Sequence, residues 1–472
     1  MDTDVVAIGG GLAGLIVANR CAELGLRALV LERETDARHA CNSRYTTGIA
    51  HILFQDMRLP ADRLLPVIER ETAGCAKPAL ARALAENSRR AIDWLTREGA
   101  RFMEINAPTG RSIIIAPPRR FKEGLDWEGR GGDVLLRRLE ENLVKRGGRV
   151  LRGAHARELA LANGACAGVD AEIEGKATRI AARAVVIADG GFGGSVEMIR
   201  RHVSPHADRL LLRGATTATG DGLRMAEAAG ARLEGFGLFY GHPVHRDAIT
   251  RGKADLWPFP FIDGLAQAGI VVGADGRRFA DEGRGGIALA NDMAQLDDPL
   301  STTLVFDEAI WTTIGKEGPV AGNPMITSTG ATLHKAGDLA TLARMAQLPA
   351  DTLAQTVAAY NAALAANSPA TLAPPRTIHP FAAHPIARAP FYAVPLCCGV
   401  TATMGGIAID EHCHALHSDG TVISGLYAAG STIAGIEGGP NVAYMGGLSK
   451  AFVFGLLAAE AIAGDAGKPV VR

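Results

Sequence analysis

Three glycines near the start of the chain are spaced so that the backbone between them could contact a phosphate group. Gly9, Gly11 and Gly14 form the pattern G-x-G-x-x-G directly after an apolar run at residues 4–8. In this pattern the first glycine forms a tight turn, the second lets a pyrophosphate approach the backbone, and the third lets a helix pack on the strand. Glu32 ends the next apolar run, at the distance where an acid can bind a ribose hydroxyl. The sequence therefore predicts a dinucleotide site, and the turn alone fits NAD as well as FAD.

The residues around these glycines predict a strand–helix–strand unit. Residues 4–8 predict a buried strand, residues 12–24 a helix, and residues 26–31 a second strand. The phosphates of a dinucleotide would then lie at the helix N-terminus, where free N–H groups and the helix dipole favour anions. Alternation of strands and helices through residues 1–60 predicts a parallel βαβ arrangement and so an α/β fold. Further helices are predicted at residues 78–99, 133–146 and 448–463.

The length and composition of the chain exclude several classes of protein. The 472 residues are too many for one ordinary hydrophobic core, so two domains are expected. With 47% hydrophobic and 21% charged residues and a formal net charge of −1, we expect a globular protein that binds neither nucleic acid nor an acidic membrane surface. Because no run of about 18 uninterrupted apolar residues is present, no membrane span is predicted.

The cysteines of the chain number seven and are scattered along it. An odd, dispersed set is typical of a reducing compartment rather than of a disulfide framework, and no C-x-x-C motif indicates a zinc ribbon or a thioredoxin-type couple. No metal site is therefore predicted. The first predicted strand begins at residue 4, which leaves no room for a leader peptide, so we expect a cytoplasmic protein.

The middle of the chain differs in composition from its two ends. Residues 232–384 contain clusters rich in tryptophan, proline and phenylalanine, such as WPFPF, and end in a proline-rich stretch. We interpret this segment as an inserted second domain. The predicted domains are residues 1–231, the first part of the cofactor domain; residues 232–384, the inserted domain; and residues 385–472, the second part of the cofactor domain.

A series of motifs occurs in the order found in a known flavoprotein family. The motifs are VVAIGGGLAG, NSRYTTGIA, VVIADGGFGG, ATGDGLRMAEAAGA, GRRFADE, TMGGIAID, LYAAGSTIAG and GGPNVAYMGG. On these motifs the chain resembles the fumarate reductase/succinate dehydrogenase flavoprotein family, which includes ketosteroid dehydrogenases and tricarballylate dehydrogenase. The resemblance runs from Val5 to about Ala463 and is weakest at residues 100–130. It implies a Rossmann-type FAD-binding domain with an inserted α+β capping domain.

The resemblance also identifies the residues that would contact FAD. The bond to the flavin would be non-covalent, because residues 42–48 contain no histidine where covalent members carry one. Gly446 and Gly447 precede the last predicted helix, whose free N–H groups would face the flavin N1–C2=O edge and stabilise negative charge there. The full set of predicted FAD contacts is Gly9, Gly11, Leu12, Ala13, Gly14, Glu32, Arg33, Asn42, Ser43, Thr47, Gly48, Ala188, Gly190, Thr219, Gly220, Asp221, Gly430, Ser431, Gly446, Gly447 and Leu448.

Two of the motifs depart from the family pattern at the cofactor. Asp189 stands where the family's A-T-G-G-F has threonine, and Ser431 stands where A-A-G-E has an acid that would hold ribityl or ribose hydroxyls. Serine can still form a hydrogen bond at that position. The departures therefore bear on how tightly FAD is held and not on which cofactor is bound.

The catalytic candidates follow from what a flavin of this family does. It exchanges a hydride with a carbon β to a carbonyl or carboxylate, while a protein group moves a proton at the α-carbon. By resemblance, His242 would bind a substrate carboxylate and Tyr444 would donate to a carbonyl. The family's catalytic arginine is expected seven residues after the phenylalanine of GRRF, but Gly286 stands there. Arg284 is the nearest candidate, with Glu282 as a partner in a proton relay.

Further replacements bear on the substrate. The paired histidines expected before T-M-G-G are absent, and the tyrosine of NVAYMGG stands where a fumarate reductase has an arginine. The predicted function is an FAD-dependent oxidoreductase, tricarballylate dehydrogenase-like or fumarate reductase-like, that dehydrogenates or reduces a C–C bond α,β to a carboxylate or ketone. Two alternatives stay open: a ketosteroid-type 1-dehydrogenase or enone reductase, and a catalytically inert flavin-binding protein. The expected partners are a small carboxylate or enone and a separate electron donor or acceptor.

Overall fold

The computed structural model describes residues 1–107, 110–318 and 320–470. Its strands in chain order are β1 (Asp2–Ile8), β2 (Ala28–Glu32), β3 (Ile49–Ile52), β4 (Gln55–Asp56), β5 (Phe102–Ala107), β6 (Gly110–Ile115), β7 (Arg149–Arg152), β8 (Ala154–Ala162), β9 (Ala165–Ile173), β10 (Lys176–Ile187), β11 (Leu211–Leu212), β12 (Leu233–Glu234), β13 (Phe239–His245), β14 (Ile270–Val272), β15 (Thr303–Asp307), β16 (His334–Ala336), β17 (Phe391–Thr403), β18 (Gly406–Ile407), β19 (His414–Leu416) and β20 (Val422–Ala428). Its α-helices are α1 (Leu12–Glu23), α2 (Asn42–Tyr45), α3 (Ala61–Thr72), α4 (Pro78–Arg97), α5 (Gly131–Lys145), α6 (Val196–His202), α7 (Asp221–Ala228), α8 (Asp247–Thr250), α9 (Asp263–Ala268), α10 (Gly286–Ala294), α11 (Glu308–Thr312), α12 (Gly322–Ser328), α13 (Leu339–Met345), α14 (Ala350–Ala365) and α15 (Gly447–Asp465).

The first sheet has the strand order β19-β20-β10-β1-β2-β7. The five strands from β20 to β7 run parallel, and Val6 of β1 pairs with Val185 of β10 on one side and with Leu29 of β2 on the other. β2 is buried along its whole length, as parallel strands covered on both faces usually are. The carboxyl ends of β1, β2 and β10 therefore lie at one edge, where α/β sheets bind ligands. The predicted β1–α1–β2 unit and the α/β class are confirmed.

Helix α15 packs against α1 at the centre of the first core. A Cβ added to Gly455 of α15 would lie 3.1 Å from Cγ2 of Ile16 in α1, so the glycine lets the two helices approach closely. In length and composition α15 is apolar enough to cross a bilayer, and it is the one helix of the described residues that is. However, 78% of its most apolar window is buried inside the protein, which accounts for its apolarity without a membrane.

The second sheet is built around β17. β17 pairs with β11, β13, β15 and β16, and β14 extends the sheet beyond β15. All of these pairs are antiparallel except β11–β17, and helices α9, α10, α13 and α14 contribute side chains to the same core. The domain bounds 1–231, 232–384 and 385–472 stay a prediction. The second sheet takes strands from beyond residues 232–384 on both sides, because β11 precedes that range and β17 follows it.

Candidate active site

A cavity of about 1170 Å³ lies at the carboxyl ends of β1, β2 and β10. Ile8, Leu31 and Ala188 line it where these strands end, and Tyr240 and His242 of β13 line it from the second sheet. Small-molecule pockets usually measure roughly 300–1,000 Å³. The cavity therefore has room for a dinucleotide together with a substrate.

The glycine turn between β1 and α1 forms one wall of the cavity. Gly9 has a φ of +108°, and a Cβ added to Gly14 would lie 2.1 Å from the carbonyl oxygen of Gly9, so neither position accepts a side chain. The N-cap residue of α1, Gly11, has no side chain of its own; Oγ of Ser43, 3.3 Å from where a Cβ of Gly11 would lie, accepts the N–H of Leu12 at 3.0 Å. The N-terminal turn of this 12-residue helix lines the cavity through Gly11, Leu12 and Ala13, which is the geometry that binds a pyrophosphate.

Glu32 takes part in this wall in a way that the sequence did not predict. Its Oε2 accepts a hydrogen bond from the backbone N–H of Gly10 at 2.9 Å, and the same oxygen lies 3.2 Å from Nε2 of His39. Its Oε1 accepts the N–H of Glu34 at 2.9 Å. Glu32 therefore fixes the glycine turn and lines the cavity at the same time.

Most of the predicted FAD contacts line the cavity, and the other five lie outside its lining. Those that line it are Gly9, Gly11, Leu12, Ala13, Glu32, Arg33, Asn42, Ser43, Thr47, Ala188, Gly190, Asp221, Gly430, Ser431, Gly447 and Leu448. Those outside it are Gly14, Gly48, Thr219, Gly220 and Gly446, and each has a packing role or a hydrogen-bonding role. Thr219, for example, accepts a hydrogen bond from Arg33 and donates one to Asp221. Its hydroxyl thus holds two of the lining side chains.

Asp189, at the position where the family has threonine, is partly buried beside the glycine turn. Its Oδ2 accepts the N–H of Gly222 at 2.7 Å, whereas Oδ1 has no partner in the described part of the chain. Burial raises the pKa of this carboxyl to about 6. An unpartnered carboxylate oxygen can accept a hydrogen bond from a cofactor hydroxyl, so this oxygen also fits a bound dinucleotide.

Tyr444 is held at the start of α15. Its ring stacks on Tyr240 with centroids 3.9 Å apart, and its hydroxyl oxygen accepts the N–H of Gly447 at 2.6 Å. The sequence predicted that this N–H would face the flavin. In the structure it donates instead to the hydroxyl of Tyr444. Burial raises the pKa of Tyr444 well above its usual value, so the hydroxyl keeps its proton and can donate it towards the cavity.

His242 and Arg284 both line the cavity, but Glu282 does not. The carboxylate of Glu282 is fully buried, pairs with the guanidinium of Arg278 and accepts the N–H of Val271. The predicted relay from Arg284 to Glu282 is therefore not formed, because Glu282 is committed to this internal ion pair. Arg284 instead pairs with Oδ2 of Asp292, at 3.1 Å, and donates to a backbone carbonyl.

Two arginines in the cavity were not predicted from the sequence. Arg119 and Arg213 are each 5% exposed, and neither forms an ion pair among the described residues. Within residues 1–107, 110–318 and 320–470, no hydrogen-bond partner is present for Nε and Nη2 of Arg119 or for Nε and Nη1 of Arg213. Burial and the charge of Arg213 lower the pKa of Arg119 to about 10. No local pattern marks either residue, since Arg119 falls where the motifs are weakest and Arg213 follows the two-residue strand β11.

The comparisons with known proteins agree with this geometry. A family model described as an FAD binding domain matches residues 4–443. The NADH:acrylate oxidoreductase of Vibrio harveyi is 29% identical over 81% of the chain, and the NADH:fumarate oxidoreductase of Klebsiella pneumoniae (strain 342) is 26% identical over 96%. The chain spans only 36% and 47% of the lengths of these two relatives.

The fold is shared with solved structures as well. The 3-ketosteroid-Δ4-(5α)-dehydrogenase of Rhodococcus jostii RHA1 superimposes with a TM-score of 0.75, over 98% of this chain and 97% of that one, at 20% identity. The match of the family model extends over most of the chain. The chain therefore belongs to the FAD-binding-domain family, that of the fumarate reductase and succinate dehydrogenase flavoproteins, and its cofactor is FAD.

Proposed function

We propose that this protein is an FAD-dependent oxidoreductase that adds or removes a pair of hydrogens across a C–C bond α,β to a carboxylate. The observation that carries the proposal is that the buried Arg119 and Arg213 have no anionic partner in the part of the chain that the structure describes. A buried charge without a partner is costly, so such groups are usually paired in the working state of a protein. A carboxylate bound between them would supply the missing acceptors through charge-assisted hydrogen bonds.

The surroundings of the two arginines favour a planar anion. The guanidinium of Arg119 lies over the rings of Trp257 and Phe259 at 5.8 and 5.7 Å, and Nη2 of Arg213 donates to the carbonyl of Pro258 at 3.4 Å. Both guanidinium groups are thus anchored to one loop while keeping free N–H groups. The relatives in Vibrio and Klebsiella are named for acrylate and fumarate, which are both carboxylates next to a C=C bond.

The residues around the cavity divide the chemistry among them. When bound, FAD supplies the two-electron donor or acceptor for the β-carbon. Arg119 and Arg213 would hold the carboxylate and stabilise the negative charge that develops on it, while the neutral hydroxyl of Tyr444 would donate to an oxygen of the substrate. The electron partner is a separate donor or acceptor. A cytoplasmic location stays a proposal, and the seven cysteines, none of them in a disulfide, agree with it.

The experiment is anaerobic reduction of the FAD-loaded protein, followed by addition of acrylate, fumarate, an unsaturated tricarboxylate or a steroid enone. We expect the unsaturated carboxylates to reoxidise the flavin and the steroid not to. The Arg213→Gln variant should lose affinity for the carboxylate by roughly 10- to 150-fold, because a hydrogen bond to a charged group is worth about 1.5–3 kcal/mol. Arg277→Gln removes a charge from an exposed turn outside the cavity and is the control.

Two outcomes would contradict the proposal. Reoxidation by the enone alone would favour the ketosteroid-type alternative, in which the arginines have a structural role. A reduced flavin that no carboxylate and no enone reoxidises, in a protein that retains FAD, would favour the inert flavin-binding alternative.

A further inference from the structure

Gly286 stands where the resemblance expects a catalytic arginine, and the structure gives a reason for the glycine. A Cβ added to Gly286 would lie 1.7 Å from Oδ1 and 2.6 Å from Cγ of Asp263. The first residue of α10 therefore has no room for any side chain, because the carboxylate of Asp263 fills that space. An acidic side chain from another helix, α9, thus occupies the place of the arginine.

Asp263 is in turn bonded to His242. Oδ1 of Asp263 lies 2.9 Å from Nδ1 of the imidazole, and both side chains line the cavity. The ring of His242 stacks on Phe261 with centroids 5.2 Å apart and meets the edge of Tyr240 at 5.1 Å. Two aromatic rings and one carboxylate thus fix the imidazole. Because Nδ1 is engaged, Nε2 is the nitrogen left to act in the cavity, and it has no protein partner in the described part of the chain.

We propose that His242 is the proton-transferring group of the reaction and that Asp263 is the residue that positions it. A carboxylate on Nδ1 holds a neutral imidazole in the Nδ1–H tautomer, so that Nε2 can accept a proton, and it stabilises the imidazolium that results. This inference rests on the proposed function. It assigns to the pair the task that the sequence had assigned to an arginine.

His242 can transfer the proton in either direction of the reaction. In dehydrogenation the α C–H bond breaks, its proton goes to Nε2 of His242, and its electron pair becomes the second bond between the α- and β-carbons as a hydride leaves the β-carbon for the cofactor. In reduction a hydride reaches the β-carbon, the second bond between the two carbons breaks, and its electron pair forms the new C–H bond at the α-carbon with the proton from Nε2. Between turnovers Nε2 exchanges its proton with solvent through the cavity.

Other charged and titratable groups act on this pair and must be considered with it. Tyr240 lies on the same strand as His242, and burial raises its pKa to about 12, so it is neutral over the working range. Arg213, which follows β11, acts electrostatically on both Tyr240 and Asp263. Arg284 lines the same cavity but is paired with Asp292.

The test compares four variants in the FAD-loaded protein: His242→Gln, Asp263→Asn, Gly286→Ala and Gly264→Ala. His242→Gln should lower kcat by roughly 10²- to 10⁴-fold, the usual contribution of a general acid or base, with little change in substrate affinity. Asp263→Asn should lower kcat as well, with KM nearly unchanged, because the imidazole is no longer held in the Nδ1–H tautomer with Nε2 directed into the cavity. Gly286→Ala should do the same, since its methyl group must displace the carboxylate.

Gly264→Ala is the matched control for Gly286→Ala. It adds the same methyl group next to Asp263 in the sequence, but that group would meet only Cγ2 of Ile314, at an ordinary 3.8 Å. A second measurement is the ¹⁵N NMR signature of the His242 ring, identified by its absence from His242→Gln. The Nδ1–H tautomer should be present in the wild type and in Gly264→Ala, and lost in Asp263→Asn and Gly286→Ala.

The result that overturns this inference differs from the one that overturns the proposed function. If carboxylates reoxidise the wild-type flavin but His242→Gln retains most of its kcat, the proposed function stands and the proton comes from elsewhere. The inference is likewise overturned, and the proposed function stands, if Gly286→Ala and Gly264→Ala have identical kcat values and NMR signatures. If no carboxylate reoxidises the wild-type flavin, the proposed function itself fails.

Discussion

The buried ion pair between Lys450 and Glu437 gives a prediction whose size can be worked out from the structure. Lys450 belongs to α15, and its side chain is 1% exposed; the side chain of Glu437 is 4% exposed. Oε2 of Glu437 accepts from Nζ of Lys450, and Oε1 accepts the N–H of Met445 at 3.0 Å. The pair therefore fixes the segment that carries Tyr444 to the helix that begins at Gly447.

The perturbation is Lys450→Met, which leaves the carboxylate of Glu437 buried without a counter-charge. Removing one partner of a buried pair costs about 3–5 kcal/mol, because the remaining charge is uncompensated. The double variant Lys450→Met with Glu437→Gln should recover most of that free energy, to within about 1 kcal/mol of the wild type, since a neutral amide oxygen can still accept the N–H of Met445.

The assay is urea-induced unfolding of the FAD-loaded protein, followed by flavin and tryptophan fluorescence, with the free energy of unfolding taken from the first transition. Arg157→Met is the control, because Arg157 and Glu172 form an ion pair with side chains about half exposed, which is worth at most about 1 kcal/mol. The reasoning is refuted if Lys450→Met costs no more than this control, or if the double variant is no more stable than the single one.

Three further predictions concern the cofactor wall, the thiols and pH. Gly14→Ala should weaken FAD retention and lower the free energy of unfolding by about 1–3 kcal/mol, because its methyl group would meet the carbonyl oxygen of Gly9 at 2.1 Å. The control Gly464→Ala, which has open space around it, should change neither quantity, and equal thermal stability of the two variants would contradict the prediction. In the native protein a thiol reagent should label Cys75, the exposed cysteine, much faster than the other six, and all seven after unfolding; rapid native labelling of a second thiol is the contrary result. Hydrogen bonds to two aspartates raise the pKa of His414 to about 9, so the stabilisation that His414 gives should be present below about pH 6.5 and lost as the pH rises towards 9. His414→Asn should therefore lower the free energy of unfolding more at pH 6 than at pH 10, and an equal loss at both pH values would refute this.

The sequence determined the cofactor half of this protein because the signals there are local. The turn at Gly9–Gly14 is specified by residues that are neighbours in the chain, since a positive φ and a helix packed on its own strand leave glycine as the residue that fits. The βαβ unit and the helices α4, α5 and α15 follow from apolar periodicity, and they were predicted to within a few residues. The resemblance added FAD, because its motifs are spread over the whole chain in a fixed order.

Only the tertiary structure decided how the substrate side of the cavity is built. Arg119, Arg213, His242 and Asp263 come from four separate parts of the chain, and they meet because β11 and β13 both pair with β17 and the loop before α9 folds over them. The same structure removed Glu282 from the site, because its carboxylate is fully buried, pairs with Arg278 and accepts the N–H of Val271 on β14. Whether a side chain faces the cavity or the interior depends on residues remote in sequence that pack around it, and no local pattern carries that information.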